Sequence, residues 1–186
     1  MNSFIRTASL TKRAVTNYLV NRPLCVSFEI THNCNARCKH CHRGGEVDKK
    51  RASPEQFSDM FNELKPPVIQ ISGGEPLLRK DVYEIIEALK QPDGTPFIIF
   101  VTNAALLTEE NYHRLCDTGV DMYSVSLDYP DERHDEFRSI PGLFGHIRAL
   151  VEAVTAENDN GITLNCVVHS KNFREMIPRC ELALDW

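Results

Sequence analysis

The regular alternation of strand patterns with helix patterns constrains the fold of this 186-residue chain more than any other feature. Each run typical of a β-strand is followed by a segment whose apolar residues recur at helical spacing. The predicted strands are residues 24–31, 68–72, 97–102, 122–127 and 162–168. Five such units with short connections indicate parallel strands joined by right-handed crossovers. The predicted fold class is therefore α/β, as either an open sheet or a closing barrel.

The segments between these strands carry helix signals. Ser53, Pro54 and Gln56 predict a helix start, with serine as N-cap, proline in the first turn and glutamine as capping-box partner. Residues 97–102 are continuously apolar, which predicts a strand buried on both faces, whereas the polar stretch 128–142 is predicted to be a loop. Further helices are predicted at residues 81–90, from 108 to 116 or 117, at 143–156 and at 173–184, where Pro178 interrupts the last one.

Residues 1–23 form a predicted lead-in to a core domain at residues 24–186. This lead-in is basic and contains no acidic residue. Such a composition is compatible with a transit peptide, but we favour an amphipathic helix over about residues 4–19 that packs on the domain.

Charge and cysteine content exclude several classes of protein. The formal net charge of -5 gives no overall positive field to attract nucleic acid, and no apolar run approaches the length of a membrane span. The cysteine count of seven is odd, and a secreted disulfide scaffold would be smaller and richer in cysteine. We therefore expect a reducing compartment, the cytoplasm. The scattered cysteines are expected to be buried small apolar residues: Cys25, Cys116, Cys166 and Cys180.

Three clustered cysteines, Cys34, Cys38 and Cys41, follow the first predicted strand. Thiolates bind soft metals and iron–sulfur clusters. A structural zinc site normally has four protein ligands, and a four-iron cluster held entirely by protein needs a fourth cysteine. No fourth cysteine lies nearby, so three ligands suggest a cluster with one iron left open. Neighbouring histidines keep a zinc site open as an alternative: His32, His40 and His42.

Two motifs give the chain a family resemblance. The first is the spacing Cys-x3-Cys-x2-Cys of this loop, and the second is the sequence Gly73-Gly74-Glu75-Pro76 after the second predicted strand. Together they resemble the signature of the radical S-adenosylmethionine (radical SAM) family. The resemblance covers about residues 24–184, and it implies that family's partial (β/α)6 barrel of parallel strands, which is TIM-like. Because the fifth strand would be an exposed edge, we expect the barrel to be truncated after its fifth unit.

The resemblance also implies a reaction. The three cysteines would ligate a [4Fe–4S] cluster whose open iron binds S-adenosylmethionine. Reductive cleavage of that cofactor would give methionine and a 5′-deoxyadenosyl radical, which abstracts hydrogen from a substrate. An electron donor such as flavodoxin or ferredoxin is implied, and the substrate would be a peptide or a small molecule. More cysteines further along the reading frame would point to auxiliary clusters.

Residues after the second and third strands are candidates for binding the cofactor. Glu75 is expected to pair with the ammonium group of S-adenosylmethionine, and Gly73 and Gly74 are expected to let the backbone approach closely. Pro76 completes this turn. The Thr-Asn turn that ends the third strand places Asn103 beside the cofactor in sequences that this chain resembles.

Residues from other units complete the predicted site. Ser126 is expected to donate to the cofactor's carboxylate or ribose, and Asp128 to accept from ribose or substrate. Here Tyr129 stands where glycine is usual in the family. His40 occupies a position that is often aromatic in the family and is expected to pack near adenine. The segment 134–144 resembles a stretch in radical SAM enzymes that modify peptides and in haem-pathway relatives, and it is interpreted as structural.

Two other functional classes remain open from the sequence. A non-catalytic zinc- or iron–sulfur-binding α/β module would need a further protein ligand, such as His32 or His42, and would have no cofactor pocket at residues 73–76. A plain α/β fragment or regulatory half-barrel would depend on a partner for its missing units.

Overall fold

Five parallel strands form one sheet in the order β1-β2-β3-β4-β5, in a computed structural model that describes residues 3–42, 47–90, 94–155 and 161–186. The order follows the chain, whereas a doubly wound open sheet reverses direction at a switch point. Sequential order is that of a (β/α) barrel. The predicted fold class, α/β with a partial TIM-like barrel, is therefore confirmed. The strands are β1 (Cys25–Thr31), β2 (Val68–Gly73), β3 (Phe97–Thr102), β4 (Met122–Ser126) and β5 (Ile162–Asn165).

The helices alternate with the strands as the sequence pattern predicts. Two short 3₁₀ turns, Pro76–Leu78 and Phe173–Glu175, lie between them. Within the described ranges, no helix is long and apolar enough to cross a membrane. The α-helices are α1 (Ser3–Leu19), α2 (Pro54–Leu64), α3 (Val82–Ala88), α4 (Glu109–Thr118), α5 (Arg133–Arg138), α6 (Leu143–Thr155) and α7 (Met176–Asp185).

Helix starts are set by local side-chain chemistry. Ser53 caps α2 by accepting from the Gln56 backbone N–H, and the Gln56 side chain accepts in return from the Ser53 N–H, so the predicted capping box is confirmed. Thr108 and Asn111 form the same reciprocal pair at the start of α4. These contacts satisfy backbone N–H groups that have no partner inside the helix.

Three local predictions were wrong. The stretch 128–142 is not a continuous loop, because α5 occupies residues 133–138. Strand β5 ends at Asn165, three residues earlier than predicted. Pro178 does not interrupt the last helix, since α7 begins at Met176 and proline in a first turn removes no intrahelical hydrogen bond. The predicted turns at 92–94 and 160–161, residue 156 and the Gly44-Gly45 end of the cysteine loop lie wholly or partly outside the described residues.

The core lies between one face of the sheet and the helices. The strand register aligns Phe28, Ile71, Phe100 and Tyr123 in one row across four strands, and each is at most 5% exposed. Their burial removes apolar surface from water, which is the main favourable contribution to folding. The opposite face of β3 is only half-buried, so the prediction of a strand buried on both faces was wrong for that face.

Helix α1 lies across the amino-terminal side of the sheet. Arg6 pairs with Asp121, just before β4, and Arg13 donates to the Gly94 carbonyl, ahead of β3. Asn17 is buried and donates to the carbonyls of Pro23 and Lys65, which precede β1 and β2. The predicted helix is therefore observed, and it packs at the end of the sheet opposite the carboxyl ends of the strands.

The scattered cysteines differ from expectation. None of the seven cysteines forms a disulfide, all of them being among the described residues. Cys116 and Cys166 are half-buried, whereas Cys25 and Cys180 are exposed. The prediction that all four are buried was therefore wrong, because one face of β1 and one face of α7 are open to solvent.

The ends of β1 and β2 approach each other closely enough to require glycine. The Gly74 N–H donates to the Thr31 carbonyl at 2.8 Å, and the Glu75 N–H donates to the Asn33 carbonyl at 2.8 Å. A Cβ atom on Gly73 would lie 2.1 Å from the Thr31 oxygen, and one on Gly74 would lie 2.1 Å from the Asn33 oxygen. The close approach expected of these glycines is thus between two backbone segments, and it fixes the start of the cysteine loop.

We expect Gly74→Ala to lower the free energy of unfolding by about 1–3 kcal/mol, because the new methyl group would overlap a backbone oxygen that cannot move without breaking the Glu75 hydrogen bond. Denaturant unfolding of the variant and the parent protein measures this difference. Gly145→Ala is the matched control, since a Cβ there meets nothing within 4 Å and alanine stabilises a helix interior by about 0.5–1 kcal/mol. Equal stability of the two variants would contradict the interpretation.

Candidate active site

The carboxyl ends of β1 to β4 surround a cavity of about 180 Å³. In parallel α/β proteins ligands bind at this end of the strands. Eight of the eleven residues predicted for the site line the cavity, and Glu75, Pro76 and Asp128 do not. The lining residues are Cys34, Ala36, Cys38, His40, Cys41, Gly73, Gly74, Val101, Thr102, Asn103, Ser126 and Arg138.

Hydrogen bonds on both sides of the cysteine loop hold it at the carboxyl ends of the strands. At its start, Asp48 accepts from the His32 N–H at 2.7 Å and from the Thr31 hydroxyl. At its middle, the N–H of Arg37 donates to the carbonyl of Arg138, at the end of α5. The loop is therefore fixed by β1, by the segment that follows the loop and by α5, and this positions the three thiols at one cavity.

Two of the three thiols have a nitrogen donor beside the sulfur. The Asn103 side-chain amide lies 3.8 Å from the Cys34 Sγ, and the Arg138 guanidinium lies 3.7 Å from the Cys38 Sγ. Burial raises the pKa of both thiols, and the Arg138 charge partly offsets this for the pKa of Cys38. Across the described ranges, no three His, Cys, Asp or Glu side chains are grouped as the ligands of a single metal ion would be.

Glu75 is fully buried and contacts two residues that line the cavity, Thr102 and Asn103. Its carboxylate accepts from the Thr102 hydroxyl at 2.8 Å, from the Asn103 N–H at 2.9 Å and from the Leu77 N–H at 3.3 Å. Burial raises the pKa of Glu75 to about 7, although these donors favour the charged form. In this arrangement the side chain ties the end of β2 to the end of β3. Pro76 is also buried and starts a 3₁₀ turn.

Asp128 is fully buried and holds Arg138 in place. One of its oxygens accepts from the Arg138 guanidinium at 2.6 Å, and the other accepts from the Val167 N–H at 3.0 Å. The Asp128 N–H donates to His134 Nδ1 at 3.1 Å. Burial, together with the Arg138 charge, lowers the pKa of His134 to about 4, so this ring is neutral at pH 7.

The sequence interpretation missed Arg138. It lines the cavity beside Cys38 although the two residues are 100 positions apart. The sequence feature that could have pointed to Arg138 is the family resemblance of residues 134–144, which include it. His40 lies at the rim, stacked on Phe137 with ring centroids 5.0 Å apart, and burial lowers its pKa. Ser126 is half-buried and faces the cavity at the end of β4.

Known proteins resemble this chain in sequence. It is 35% identical over 172 residues to an AdoMet-dependent heme synthase of Methanosarcina barkeri, which covers 89% of this chain and 48% of the relative. It is 29% identical over 183 residues to a PqqA peptide cyclase of Bradyrhizobium diazoefficiens, which covers 95% of this chain and 47% of the relative. The chain thus spans about half the length of these curated relatives.

Known structures share the fold. Streptococcus suis SuiB, solved with S-adenosylmethionine and also with its precursor peptide SuiA, superposes with a TM-score of 0.74 at 16% identity. The match covers 94% of this chain and 42% or 40% of SuiB in the two structures. The sequence profile of the Radical SAM superfamily matches residues 28–180, most of the chain. The chain therefore belongs to the radical SAM superfamily, whose members use a [4Fe–4S] cluster and S-adenosylmethionine.

Proposed function

We propose that the chain forms the core of a radical SAM enzyme in which Cys34, Cys38 and Cys41 ligate a [4Fe–4S] cluster and S-adenosylmethionine binds beside it. One observation carries this proposal. The three cysteines line the same cavity as Gly73 and Gly74, at the carboxyl ends of neighbouring strands. The thiols of such a cavity can bind a soft metal. Its glycines have no side chain, so a ligand can come close to their backbone.

The donor set fits an iron–sulfur cluster. Cysteine thiolates are the usual protein ligands of [4Fe–4S] clusters, and these three cysteines form no disulfide. The side-chain nitrogens of Asn103 and Arg138 lie close enough to two of the sulfurs to donate hydrogen bonds to thiolates. Such hydrogen bonds are one of the means by which proteins set the reduction potential of a cluster. The Arg138 charge would also offset the negative charge of the thiolates.

The chain's own residues would hold and orient the cofactor. When bound, the cluster would supply one electron to S-adenosylmethionine, whose 5′-deoxyadenosyl fragment then takes hydrogen from the substrate. Ser126 would donate to the cofactor's carboxylate or ribose, and His40 would lie near adenine. Glu75 would act by holding Asn103, through the hydrogen bond between its carboxylate and the Asn103 N–H. Asp128 would act by holding Arg138 at the cavity.

Substrate and partners belong to the whole protein, which we propose acts on a peptide or a small molecule. SuiB is solved with a precursor peptide, and the Bradyrhizobium relative is named a peptide cyclase. The Methanosarcina relative is named a heme synthase, which supports a small-molecule substrate equally. The electron would come from a donor such as flavodoxin or ferredoxin. A reducing compartment such as the cytoplasm suits seven cysteines that are all unpaired.

Anaerobic reconstitution tests the proposed function directly. Purified protein is incubated with iron and sulfide, and then with S-adenosylmethionine and a strong reductant. We expect a brown protein that forms 5′-deoxyadenosine, measured by liquid chromatography. A colourless protein that binds one zinc ion, or a brown protein that never cleaves the cofactor, would instead support a non-catalytic module.

We expect Cys38→Ala to abolish stable assembly of the cluster, because two remaining thiolates are too few to hold it. Iron and sulfide content after reconstitution measures the outcome. Cys116→Ala is the matched control, since this half-buried thiol lies beside Tyr123 and not at the cavity. Equal iron content in the two variants would contradict the ligand assignment.

The pH dependence of stability tests the environment of Glu75. Burial raises its pKa in the folded protein from 4.5 to about 7. Between these values the folded protein retains a proton that the unfolded chain releases. This group therefore stabilises the fold fully below about pH 4.5, and the contribution is lost as the pH rises through about 7. We expect Glu75→Gln to remove this component of the pH dependence.

The measurement is denaturant unfolding of the cofactor-free protein at about pH 5 and about pH 7.5. The Glu75→Gln variant will have a lower overall stability, by about 1–3 kcal/mol, because an amide cannot accept all three hydrogen bonds. Its change in stability between the two pH values should nevertheless be smaller than that of the parent. Glu63→Gln, at an exposed position, is the control and should keep the parent's pH dependence. An unchanged pH dependence in Glu75→Gln would refute the interpretation.

A further inference from the structure

Helix α1 is amphipathic in the inverted sense. The face that packs on the domain is mainly polar, since Arg6, Arg13 and Asn17 contact the amino-terminal end of the sheet. Among the apolar residues of α1 only Leu10 and Ala14 are half-buried, and the others are exposed. A helix on the surface of a soluble domain normally buries its apolar face instead. The described fold therefore leaves most of the apolar surface of α1 in solvent.

The exposed apolar residues lie on one side of the helix. Tyr18 and Leu19 follow Val15 by three and four positions, so the three side chains are neighbours on the helix surface. They are 74%, 74% and 53% exposed respectively. Exposed apolar surface of this kind marks a site of contact with a protein or a membrane. We call this side the outer face of α1, and its residues recur every three or four positions: Phe4, Ala8, Thr11, Val15, Tyr18 and Leu19.

The charges of the amino-terminal segment are positive. Residues 1–23 contain four basic residues and no acidic one, whereas the whole chain has a net charge of -5. Arg6 is balanced by Asp121. Lys12 and Arg22 are exposed, and no ion pair engages either side chain among the described residues. Two positive charges therefore remain available at the surface of this segment.

A cavity of about 470 Å³ lies along one side of α1. Four basic residues line this α1 cavity, and within the described ranges no acidic residue does. Ala8 belongs to the cavity and to the outer face, so the two adjoin. Ammonium, guanidinium and hydroxyl groups together suit an anionic oxygen group such as a phosphate. The residues that supply these groups are Lys12, Arg13, Arg22, Lys65, Ser9 and Thr16.

This combination fits an anionic membrane surface better than a second copy of the chain. Two copies that met through the outer face would bring two positive segments together, with no acidic residue in either segment to balance them. A lipid surface offers acyl chains to the apolar residues and phosphate groups to the basic ones. Tyr18 suits the boundary between the two layers, because its ring is apolar and its hydroxyl is polar. Nucleic acid offers phosphates but leaves the apolar side chains in water.

We propose that α1 docks the protein on an anionic membrane surface. The outer face lies at the boundary between headgroups and acyl chains, and the phosphate of a lipid headgroup occupies the α1 cavity. Because α1 packs at the end of the sheet opposite the carboxyl ends of the strands, a docked protein keeps its cysteine cavity away from the lipid. The inference does not rest on the proposed function, since membrane binding requires neither cluster nor cofactor.

Co-sedimentation of the full 186-residue chain with lipid vesicles tests the proposal. One set of vesicles is phosphatidylcholine alone, and the other is phosphatidylcholine mixed with phosphatidylserine. We expect the protein to sediment with the mixed vesicles, and to bind the neutral vesicles at least about tenfold more weakly. Binding to the mixed vesicles should weaken as the salt concentration rises, because salt screens the attraction.

A charge reversal tests the basic residues. We expect Lys12→Glu to weaken binding to the mixed vesicles about thirtyfold, because it replaces an attraction to the anionic surface with a repulsion. Lys80→Glu makes the same charge change at an exposed position that does not line the α1 cavity. This control should bind the mixed vesicles as the parent protein does.

A leucine substitution tests the outer face. We expect Leu19→Ser to weaken binding to the mixed vesicles about tenfold, since an apolar side chain no longer enters the boundary layer. Leu184→Ser is the matched control, because Leu184 is 87% exposed on α7, and it should leave binding unchanged. Circular dichroism verifies that each variant keeps the parent's fold, as expected for exposed positions.

Several outcomes would overturn the proposal. These are absence of binding to the mixed vesicles, equal binding to both sets of vesicles, and equal weakening in a variant and its control. A dimer that Leu19→Ser dissociates, in a chain that binds no vesicle, would assign the outer face to a second copy, and sedimentation velocity measures this. Vesicle binding that inorganic phosphate abolishes and Leu19→Ser does not change would assign the α1 cavity to a soluble anion.

Discussion

The site depends on one contact between backbones, where the end of β2 lies against the end of β1. The Gly74 N–H binds the Thr31 carbonyl, and no Cβ fits between Gly74 and Asn33. Because the cysteine loop leaves β1 directly after this contact, its starting position is set by the sheet and not by the loop's own sequence. Two later segments contact this loop at other points: the Asn103 side chain, after β3, donates to the Asn35 side chain, and the Ser139 hydroxyl, after α5, donates to the Arg37 carbonyl.

Features that rest on local sequence were predictable. The bounds of β3 match because an apolar run between turn residues defines it, and the capping box of Ser53 and Gln56 is complete within four residues. Helix α5 was not predictable, because few apolar residues mark it. It depends on Asp135, which accepts from the N–H groups of Gly142 and Phe144, and on the distant cysteine loop.

For Glu75 and Asp128, residue type alone does not predict whether the carboxylate faces a ligand or binds other parts of the chain. Glu75 and Asp128 each follow a strand, and the sequence suggests that both meet the cofactor. In the structure both are fully buried, and each accepts hydrogen bonds from the chain itself. A carboxylate at a strand end can face a ligand or hold its neighbours, and the choice depends on side-chain direction and on donors far away in sequence. Arg138 was missed for the same reason, since its partners lie 10 and 100 positions away.

The contacts of Arg138 form a continuous path from the edge of the sheet to a cysteine. Val167, just beyond β5, donates to Asp128, which binds Arg138, which lies 3.7 Å from the Cys38 sulfur. In the described sheet β5 is the outermost strand on that side, and an outermost strand can accept a further one. The Val167 N–H is already used in this path, so a strand that pairs with β5 and extends past its end would find that donor occupied.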